Sequence, residues 1–178
     1  RGKDVIALSE QATLESVAQL LWETHEQPQL NQRIGDLSVL PPGRENAFVA
    51  LARAVAKGHS TLGRVKKALH VEAAQLVGYL ASAFGASNDV QSPLHDRLAQ
   101  GWQQPDDVGQ LLRRAMVLLA DHEITSSAFS ARITASTGAS LPACLLAGLT
   151  TFSGPLHGDA SGRVRALFDD LGESGGYA

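Results

Sequence analysis

The spacing of the apolar residues constrains the fold more than any other feature of the sequence. Leucine, alanine and valine recur three and four positions apart, in segments that proline, glycine and polar residues interrupt. Side chains at this spacing share one face of an α-helix. The pattern predicts helices at about 14–22, 47–57, 62–84, 105–119, 128–136, 140–149 and 163–171. Only residues 3–7 are compatible with a short strand, so we expect an all-α fold.

Local signals predict where several of these helices begin and end. Thr13 can cap the first helix through its hydroxyl group, and Pro105 followed by two aspartates favours a helix start. Gly58 and Gly138 each end a helix, and at Gly58 we expect the left-handed backbone conformation that glycine tolerates. For the helix that follows Pro105, the expected buried face consists of Val108, Leu111, Leu112, Ala115, Met116 and Leu119.

Composition supports this fold class and excludes some partners. The 178 residues suffice for one domain with a core or for part of a larger one. Aromatic residues make up only 5% of the chain, so the core must consist mainly of leucine, alanine and valine, which pack well between helices. The net charge of -3 arises from interspersed acidic and basic residues, which argues against a nucleic-acid partner.

The sequence also bears on membranes, thiols and metals. No apolar run reaches transmembrane length and no signal-peptide pattern opens the chain, so we expect a cytoplasmic protein without a membrane partner. The single cysteine, Cys144, lies in an apolar stretch, where inert packing is its expected role. A metal site is disfavoured because the histidines lack further His, Cys or carboxylate residues at ligand spacing.

Two segments place polar residues at the ends of apolar helices, where side chains can converge on a ligand without breaking the core. The segment at 119–137 contains Asp-His-Glu at 121–123. The segment at 151–161 contains Gly-Pro-Leu-His-Gly at 154–158. These two segments are the candidate functional site.

The two motifs resemble the citrate synthase family, which has an Asp-His-Glu element followed by Asn-Ala-Ser and then a Gly-Pro-x-His-Gly element. The chain has both histidine elements in that order. Ala-Ser-Thr-Gly-Ala at 135–139, Leu-Ala-Gly-Leu at 146–149 and the opening Arg-Gly with the helix behind it are also similar to the family. The resemblance is strong over 115–165 and weak over 30–100.

The resemblance implies the all-α citrate synthase fold, with residues 1–178 as a partial domain and the smaller domain largely missing. Residues 1–24 are then the N-terminal segment and first helix, 45–171 the large-domain helices, and 172–178 a mobile edge. The implied reaction condenses an acyl-CoA, with acetyl-CoA as first candidate, with oxaloacetate to give citrate and CoA. No metal or other cofactor is implied. The nearly all-apolar helix at 140–149 predicts burial on every side and, with the resemblance, a homodimer.

The resemblance also assigns roles to two histidines. Removal of a proton from the thioester methyl group leaves an enolate, whose oxygen a neutral histidine stabilises by donating a hydrogen bond. His157 takes this role, held on a tight turn by Gly154, Pro155 and Gly158. His122 binds oxaloacetate and polarises its carbonyl group for attack.

Other polar residues have supporting or weaker assignments. Ser127 matches the family serine that orients the His157 ring. Asp121 and Glu123 have no catalytic role in this interpretation and are ordinary helix-end charges. Surface or satisfied core positions are expected for the remaining histidines, which are His25, His59, His70 and His95.

Three residues depart from the family pattern. Thr125 replaces the usual asparagine, whereas Asp159 and Ser161 replace the more usual glycine and asparagine, which predicts altered activity or substrate preference. Two alternatives stay open. One is a 2-methylcitrate synthase that uses propionyl-CoA, and the other is a divergent non-catalytic scaffold or ligand-sensing module. The family's third histidine, catalytic aspartate and later arginines would all follow Ala178, so we expect no general base within these residues.

Overall fold

A computed structural model describes residues 2–30, 40–120 and 124–173, except for the side chains of Ser161 and residues 171–173. Within these ranges every regular element is an α-helix and no strand is present, which confirms the predicted all-α class. The helices are α1 (Val5–Gln11), α2 (Leu14–Trp22), α3 (Arg44–Lys57), α4 (Lys66–Ala83), α5 (Leu94–Gly101), α6 (Asp106–Leu119), α7 (Ser126–Ser136), α8 (Leu141–Phe152) and α9 (Ala160–Glu173).

The N-terminal segment begins a helix, so the short strand expected at 3–7 is wrong. The Asp4 carboxylate accepts hydrogen bonds from the backbone N–H groups of Ile6 and Ala7, at 2.8 and 2.9 Å. It therefore satisfies donors that the start of α1 leaves free. The β-branched Val5 and Ile6 favour extended structure only weakly, and the capping carboxylate outweighs that preference.

Two predicted helix boundaries are confirmed, one of them for a different reason. The Thr13 hydroxyl caps α2 by accepting from the Ser16 N–H at 3.3 Å, and the Ser16 hydroxyl accepts from the Thr13 N–H at 2.9 Å. α3 ends before Gly58, but the expected left-handed conformation is wrong because φ there is -74°. A Cβ atom at Gly58 would lie 2.6 Å from Ser140 Oγ, so the absence of a side chain permits close approach to the start of α8.

α4 organises the core because it contributes to two clusters of buried side chains. The first cluster comprises Leu30, Ala74, Ala81, Ala86, Leu94 and Leu98. The second comprises Ala47, Ala50, Tyr79 and Ala83. Alanines of α4 occur in both clusters, and Phe84, just after α4, packs against both. Gly78 is buried within α4 and does not interrupt it.

α5 is a helix that the sequence pattern did not reveal. It has eight residues, and its buried apolar positions Leu94 and Leu98 are only one helical turn apart. The Leu94 N–H donates to the Glu15 carboxylate of α2 at 2.8 Å, so a residue far along the chain caps this helix. Such a long-range contact leaves no local signal.

α6 begins after Pro105 as predicted, but its expected buried face is correct only in part. Leu112 and Met116 pack against the first cluster of buried side chains as expected. Leu111 is 64% exposed and Leu119 is 68% exposed, and Ala115 is exposed as well. The buried residues of α6 are Gly109, Arg113 and Val117. The helix is therefore rotated relative to the orientation that apolarity alone predicts.

Arg113 accounts for this rotation. Its guanidinium donates hydrogen bonds to the backbone carbonyls of Ser9, Glu10 and Ala12, at distances of 2.8 to 3.0 Å. These carbonyls lie at the C-terminal end of α1, where a helix has no internal partners for them. Because Arg113 caps α1, the side of α6 that carries Arg113 faces the interior of the protein.

α7 and α8 form a closely packed pair joined at Gly138, whose φ of 78° confirms the predicted helix end. α8 also packs against α3. Its expected burial on every side is wrong, because Pro142 and Cys144 are its only buried residues and most of the others are half-buried. Cys144 is 7% exposed, and burial raises the pKa of its thiol.

The last predicted helix is confirmed as α9. It includes residues 172 and 173 of the expected mobile edge, whereas 174–178 lie outside the described residues. Among the described helices, none combines the length and apolarity needed to cross a bilayer.

Candidate functional site

Ser127 and His157, thirty positions apart, lie in contact in the structure. Ser127 is in the first turn of α7, and His157 is in the loop that follows α8. The Ser127 Oγ atom lies 2.9 Å from His157 Nε2, which is hydrogen-bond distance. The fold therefore brings together one residue from each of the two candidate segments.

The hydrogen bond to Ser127 bears on which ring nitrogen of His157 carries the proton. Among the residues that the structure describes, Nδ1 of His157 has no hydrogen-bond partner. When the Ser127 hydroxyl donates to Nε2, the neutral ring must carry its proton on Nδ1. Nδ1–H is then available to donate a hydrogen bond to a substrate oxygen.

Backbone hydrogen bonds fold residues 152–159 into a tight loop around His157. The Gly154 carbonyl accepts from the N–H of His157 at 3.0 Å and from the N–H of Asp159 at 3.3 Å. The Phe152 carbonyl accepts from the Gly158 N–H at 2.8 Å. Pro155 lies exposed between these contacts. The loop has the tight-turn geometry that the sequence predicts for this segment.

Phe152, the last residue of α8, contacts the His157 ring directly. The two ring centroids are 5.0 Å apart and the ring planes cross at 71°, an edge-to-face arrangement. A Cβ atom at Gly158 would lie 2.3 to 2.5 Å from three atoms of the Phe152 ring, so this position must be glycine for the ring to sit there. The corresponding atom at Gly154 would be 3.4 Å from its nearest neighbour, a much weaker steric demand.

Two features hold Ser127 beside α8. Thr125 caps α7, since its hydroxyl oxygen accepts from the Ala128 N–H at 3.4 Å. The threonine that departs from the family pattern thus serves as a helix cap. On α8, a Cβ atom at Gly148 would lie 3.4 Å from the backbone oxygen of Ser127 and 3.5 Å from Cβ of Ala131. The absence of a side chain at Gly148 lets the start of α7 approach α8 closely.

The second departure, Asp159, forms an ion pair that sequence reasoning missed. Asp159 Oδ1 lies 3.0 Å from Arg44 Nη1, at the first residue of α3, and the two side chains are 47% and 54% exposed. Exposed pairs of this kind contribute about 0–1 kcal/mol to stability. The carboxylate added near His157 therefore has a counter-charge, which no local pattern could have identified. The side chain of Ser161 lies outside the described part.

The remaining histidines differ in what the structure can say about them. His122, with Asp121 and Glu123, lies outside the described residues, so its oxaloacetate role stays a prediction. His25 and His59 are exposed and His70 stacks on Trp22 with centroids 5.6 Å apart, as expected. His95 is 3% exposed, but its Nδ1 atom has no hydrogen-bond partner in the described part of the chain, so the expected satisfied core position is wrong for this residue.

The described part of the chain holds two cavities apart from the contact between Ser127 and His157. Within the described ranges, no group of three or more His, Cys, Asp and Glu side chains could hold a metal ion. A cavity of about 650 Å³ opens beside Trp22 and His70, and one of about 390 Å³ opens beside Glu15 and Arg97. Neither cavity is lined by His157 or Ser127.

Comparison with known protein families identifies the family of this chain. The family model described as citrate synthase, C-terminal domain, matches residues 1–177. The chain belongs to the citrate synthase family. The resemblance first seen in the two histidine motifs is therefore confirmed over nearly the whole chain.

Several citrate synthase relatives match this chain over part of their length. Citrate synthase 2 of Bacillus subtilis is 24% identical over 208 residues, which cover 97% of this chain and 55% of the relative. Putative citrate synthase 2 of Mycobacterium bovis is 35% identical over 89 residues, or 49% of this chain and 24% of the relative. The 2-methylcitrate synthase of Shewanella oneidensis is 35% identical over 57 residues, which cover 32% of this chain and 15% of the relative. The chain thus spans about half the length of the Bacillus subtilis relative.

A solved structure confirms the citrate synthase fold. The crystal structure of citrate synthase from Thermotoga maritima superposes with a TM-score of 0.74 at 20% sequence identity, covering 97% of this chain and 53% of that one. The predicted large helical domain of the citrate synthase fold is therefore correct.

Proposed function

We propose that this chain is part of an enzyme that condenses an acyl-CoA with oxaloacetate and releases CoA. His157 stabilises the enolate of the thioester, and His122 binds oxaloacetate. The observation that carries the proposal is the 2.9 Å contact between Ser127 Oγ and His157 Nε2, which joins the two candidate segments. Membership of the citrate synthase family supports the reaction class.

The proposed reaction places a specific demand on His157. A base removes a proton from the carbon next to the thioester carbonyl, and negative charge develops on the carbonyl oxygen. The Nδ1–H group of His157 donates a hydrogen bond to that oxygen, with Ser127 holding the ring in the required tautomer. The carbon then attacks the oxaloacetate ketone, and water hydrolyses the new thioester to release CoA.

The general base is proposed to lie outside these 178 residues. Asp159 is a poor candidate because its carboxylate pairs with Arg44 at 3.0 Å. His157 supplies only enolate stabilisation, and proton removal needs a second group. We therefore expect these 178 residues alone to bind the substrates weakly and to show no turnover.

Acetyl-CoA is the proposed acyl donor, and propionyl-CoA is the alternative. One extra methylene group in an apolar pocket changes binding by about 1–3 kcal/mol, so related enzymes can differ in this preference. A relative of this chain is named 2-methylcitrate synthase, which supports testing both thioesters. We propose no metal or cofactor beyond the two substrates, and a cytoplasmic location.

Thiol release tests this function in the full-length protein that contains the chain. Acetyl-CoA and propionyl-CoA are each assayed with and without oxaloacetate. We expect His157→Ala to lower oxaloacetate-dependent release by about 100-fold or more and to stop exchange of the acyl α-protons. His122→Ala is expected chiefly to raise the KM for oxaloacetate. His59→Ala, which changes an exposed histidine elsewhere, is the matched control and should retain full activity.

The same experiment can reject each assignment. Normal turnover by His157→Ala would show that another group stabilises the enolate. Absence of thiol release from both thioesters, with oxaloacetate binding retained, would favour the non-catalytic scaffold or ligand-sensing alternative.

We also propose a homodimer, because α6, α7 and the short segment before α7 carry large apolar side chains that are more than half exposed. They are Leu111, Leu119, Ile124, Phe129 and Ile133. Large exposed apolar side chains are typical of surfaces that another molecule covers, and a second copy of the chain is the proposed partner. Light scattering of the full-length protein at micromolar concentration checks this, and a monomer would contradict it. No nucleic-acid or membrane partner is proposed.

A further inference from the structure

Phe152 is a large apolar residue whose position the core does not explain. It ends α8, and 47% of its surface is exposed. Its ring contacts the imidazole of His157 and is absent from both buried clusters. Neither the enolate-stabilising step nor oxaloacetate binding by itself requires a phenylalanine at this position.

The contacts of Phe152 fix its ring relative to His157. Its backbone carbonyl accepts from the Gly158 N–H at 2.8 Å, which closes the loop on the far side of His157. The ring lies over the bare backbone of Gly158, where no Cβ atom would fit. Since Phe152 belongs to α8, and α8 packs closely on α7 near Ser127, both residues that touch the imidazole have a common rigid support.

One hydrogen bond does not define the orientation of a ring. The Ser127 contact holds Nε2, but the imidazole can still turn about an axis through that atom. Such a turn moves Nδ1, the atom that must face the developing oxyanion. A second contact on the ring removes this freedom, and misplacement by about 1 Å costs about 100-fold in rate when catalytic geometry is at stake.

We propose that Phe152 is a positioning residue that fixes the plane of the His157 imidazole and so aims Nδ1 at the enolate oxygen of the acyl-CoA. The proposal rests on the proposed function for the role of His157. Phe152 itself does not need to contact a substrate in this role. Phe152 acts on enolate formation through the histidine, in partnership with Ser127.

The first test observes His157 directly by nuclear magnetic resonance in the full-length protein labelled at histidine nitrogen and carbon. In Phe152→Leu, which keeps apolar bulk but removes the ring, we expect the His157 ring resonances to shift and their line shapes to report a more mobile ring. Phe168→Leu is the matched control, since Phe168 is a 68% exposed phenylalanine on α9. Unchanged His157 resonances in Phe152→Leu would overturn the proposal.

The second test uses Gly158. Gly158→Ala places a Cβ atom where three Phe152 ring atoms lie, so it should displace the ring and perturb His157 much as Phe152→Ala does. In the Phe152→Ala background the added methyl group meets no ring, and the double variant should behave like Phe152→Ala alone. If Gly158→Ala perturbs His157 equally with and without the Phe152 ring, this explanation is contradicted.

Kinetics supplies the third readout. We expect Phe152→Leu to lower kcat and α-proton exchange by the same factor, about 3- to 10-fold, with the KM for oxaloacetate unchanged. A raised KM with normal kcat would mean that Phe152 binds substrate and does not position His157. If the parent protein shows no oxaloacetate-dependent thiol release, the proposed function fails, while shifted His157 resonances still support the positioning contact.

Discussion

The region around α1, α5 and α6 and the region around the His157 loop use polar side chains in opposite ways. In the first region, Arg97 and Arg113 are 1% and 8% exposed and donate to backbone carbonyls of other segments. In the second, half-exposed side chains meet each other, as Arg44 meets Asp159 and Phe152 meets His157. Charge is buried to hold the fold in one region and stays near water in the other.

This difference separates stability from site geometry. Loss of a buried donor leaves carbonyls without partners, and each such group costs about 1–3 kcal/mol. Loss of a half-exposed contact costs little because water replaces it. Substitutions in the first region should therefore destabilise the protein, whereas substitutions in the second should leave it folded.

Arg113→Met should give the largest loss of stability and test the first half of this comparison. Without the guanidinium, carbonyls at the end of α1 lose their hydrogen-bond donor. We therefore expect the free energy of unfolding to fall by about 3 kcal/mol. Chemical denaturation of the full-length protein measures it. Arg114→Met changes the neighbouring arginine, which is about half exposed, and should alter stability by less than about 0.5 kcal/mol. Similar losses in both variants would break the comparison.

Ser127→Ala tests the second half. The His157 ring loses its hydrogen bond, so we expect kcat to fall about tenfold while the unfolding transition stays in place. Ser126→Ala, one residue earlier on the exposed side of α7, controls for the substitution. A large loss of stability in Ser127→Ala, comparable with that of Arg113→Met, would show that the site region is also structural.

His95 should make stability depend on pH through the first region. Burial lowers the pKa of this imidazole below its ordinary value of 6.5, although the Asp96 and Glu15 carboxylates oppose the shift and Arg113 assists it. As pH falls through 6.5, the unfolded chain takes up the proton first, so the free energy of unfolding decreases until the folded ring is protonated too. Above about pH 6.5 the ring is neutral in both states, and the full free energy of unfolding is present.

Denaturation at about pH 7.5 and about pH 5.5 checks this effect. His95→Gln should have a smaller loss between the two values than the parent, whereas His59→Gln, at an exposed position, should keep the parental loss. An unchanged pH dependence in His95→Gln would remove His95 from the explanation.

Arg44→Ala should give the smallest effect. Its ion pair with Asp159 is about half exposed on both sides, so we expect a stability change below about 0.5 kcal/mol and activity close to that of the parent. A double-mutant cycle with Asp159→Asn measures the coupling between the two residues. A strong coupling would show that this ion pair stabilises the fold.

Prediction from sequence succeeded where the determining contacts are local. Thr13 and Ser16 cap α2 within one turn, and Gly138 supplies the left-handed residue that ends α7. The adjacency of Ser127 and His157 followed from the family motifs, which carry three-dimensional information that spacing alone does not. The all-α class followed from periodicity.

Prediction failed where a distant polar group sets the structure. The buried face of α6 is rotated because Arg113 reaches α1, and α5 depends on the carboxylate of Glu15. The contacts of Phe152 with His157 and of Arg44 with Asp159 also join residues without any shared local pattern. Apolar periodicity ranks arginine as a surface residue, so it cannot anticipate a buried capping guanidinium.

Cys144 has a practical consequence for measuring the reaction. Its thiol is covered by the packing of α8 and its pKa is raised by burial, so little reactive thiolate forms at neutral pH. Reagents that develop colour on meeting a free thiol will therefore report released CoA without a background from this residue. Within these 178 residues no cysteine has to be removed before a labelling site is added, for example as Phe168→Cys, so a probe on α9 can be followed in solution with the original core intact.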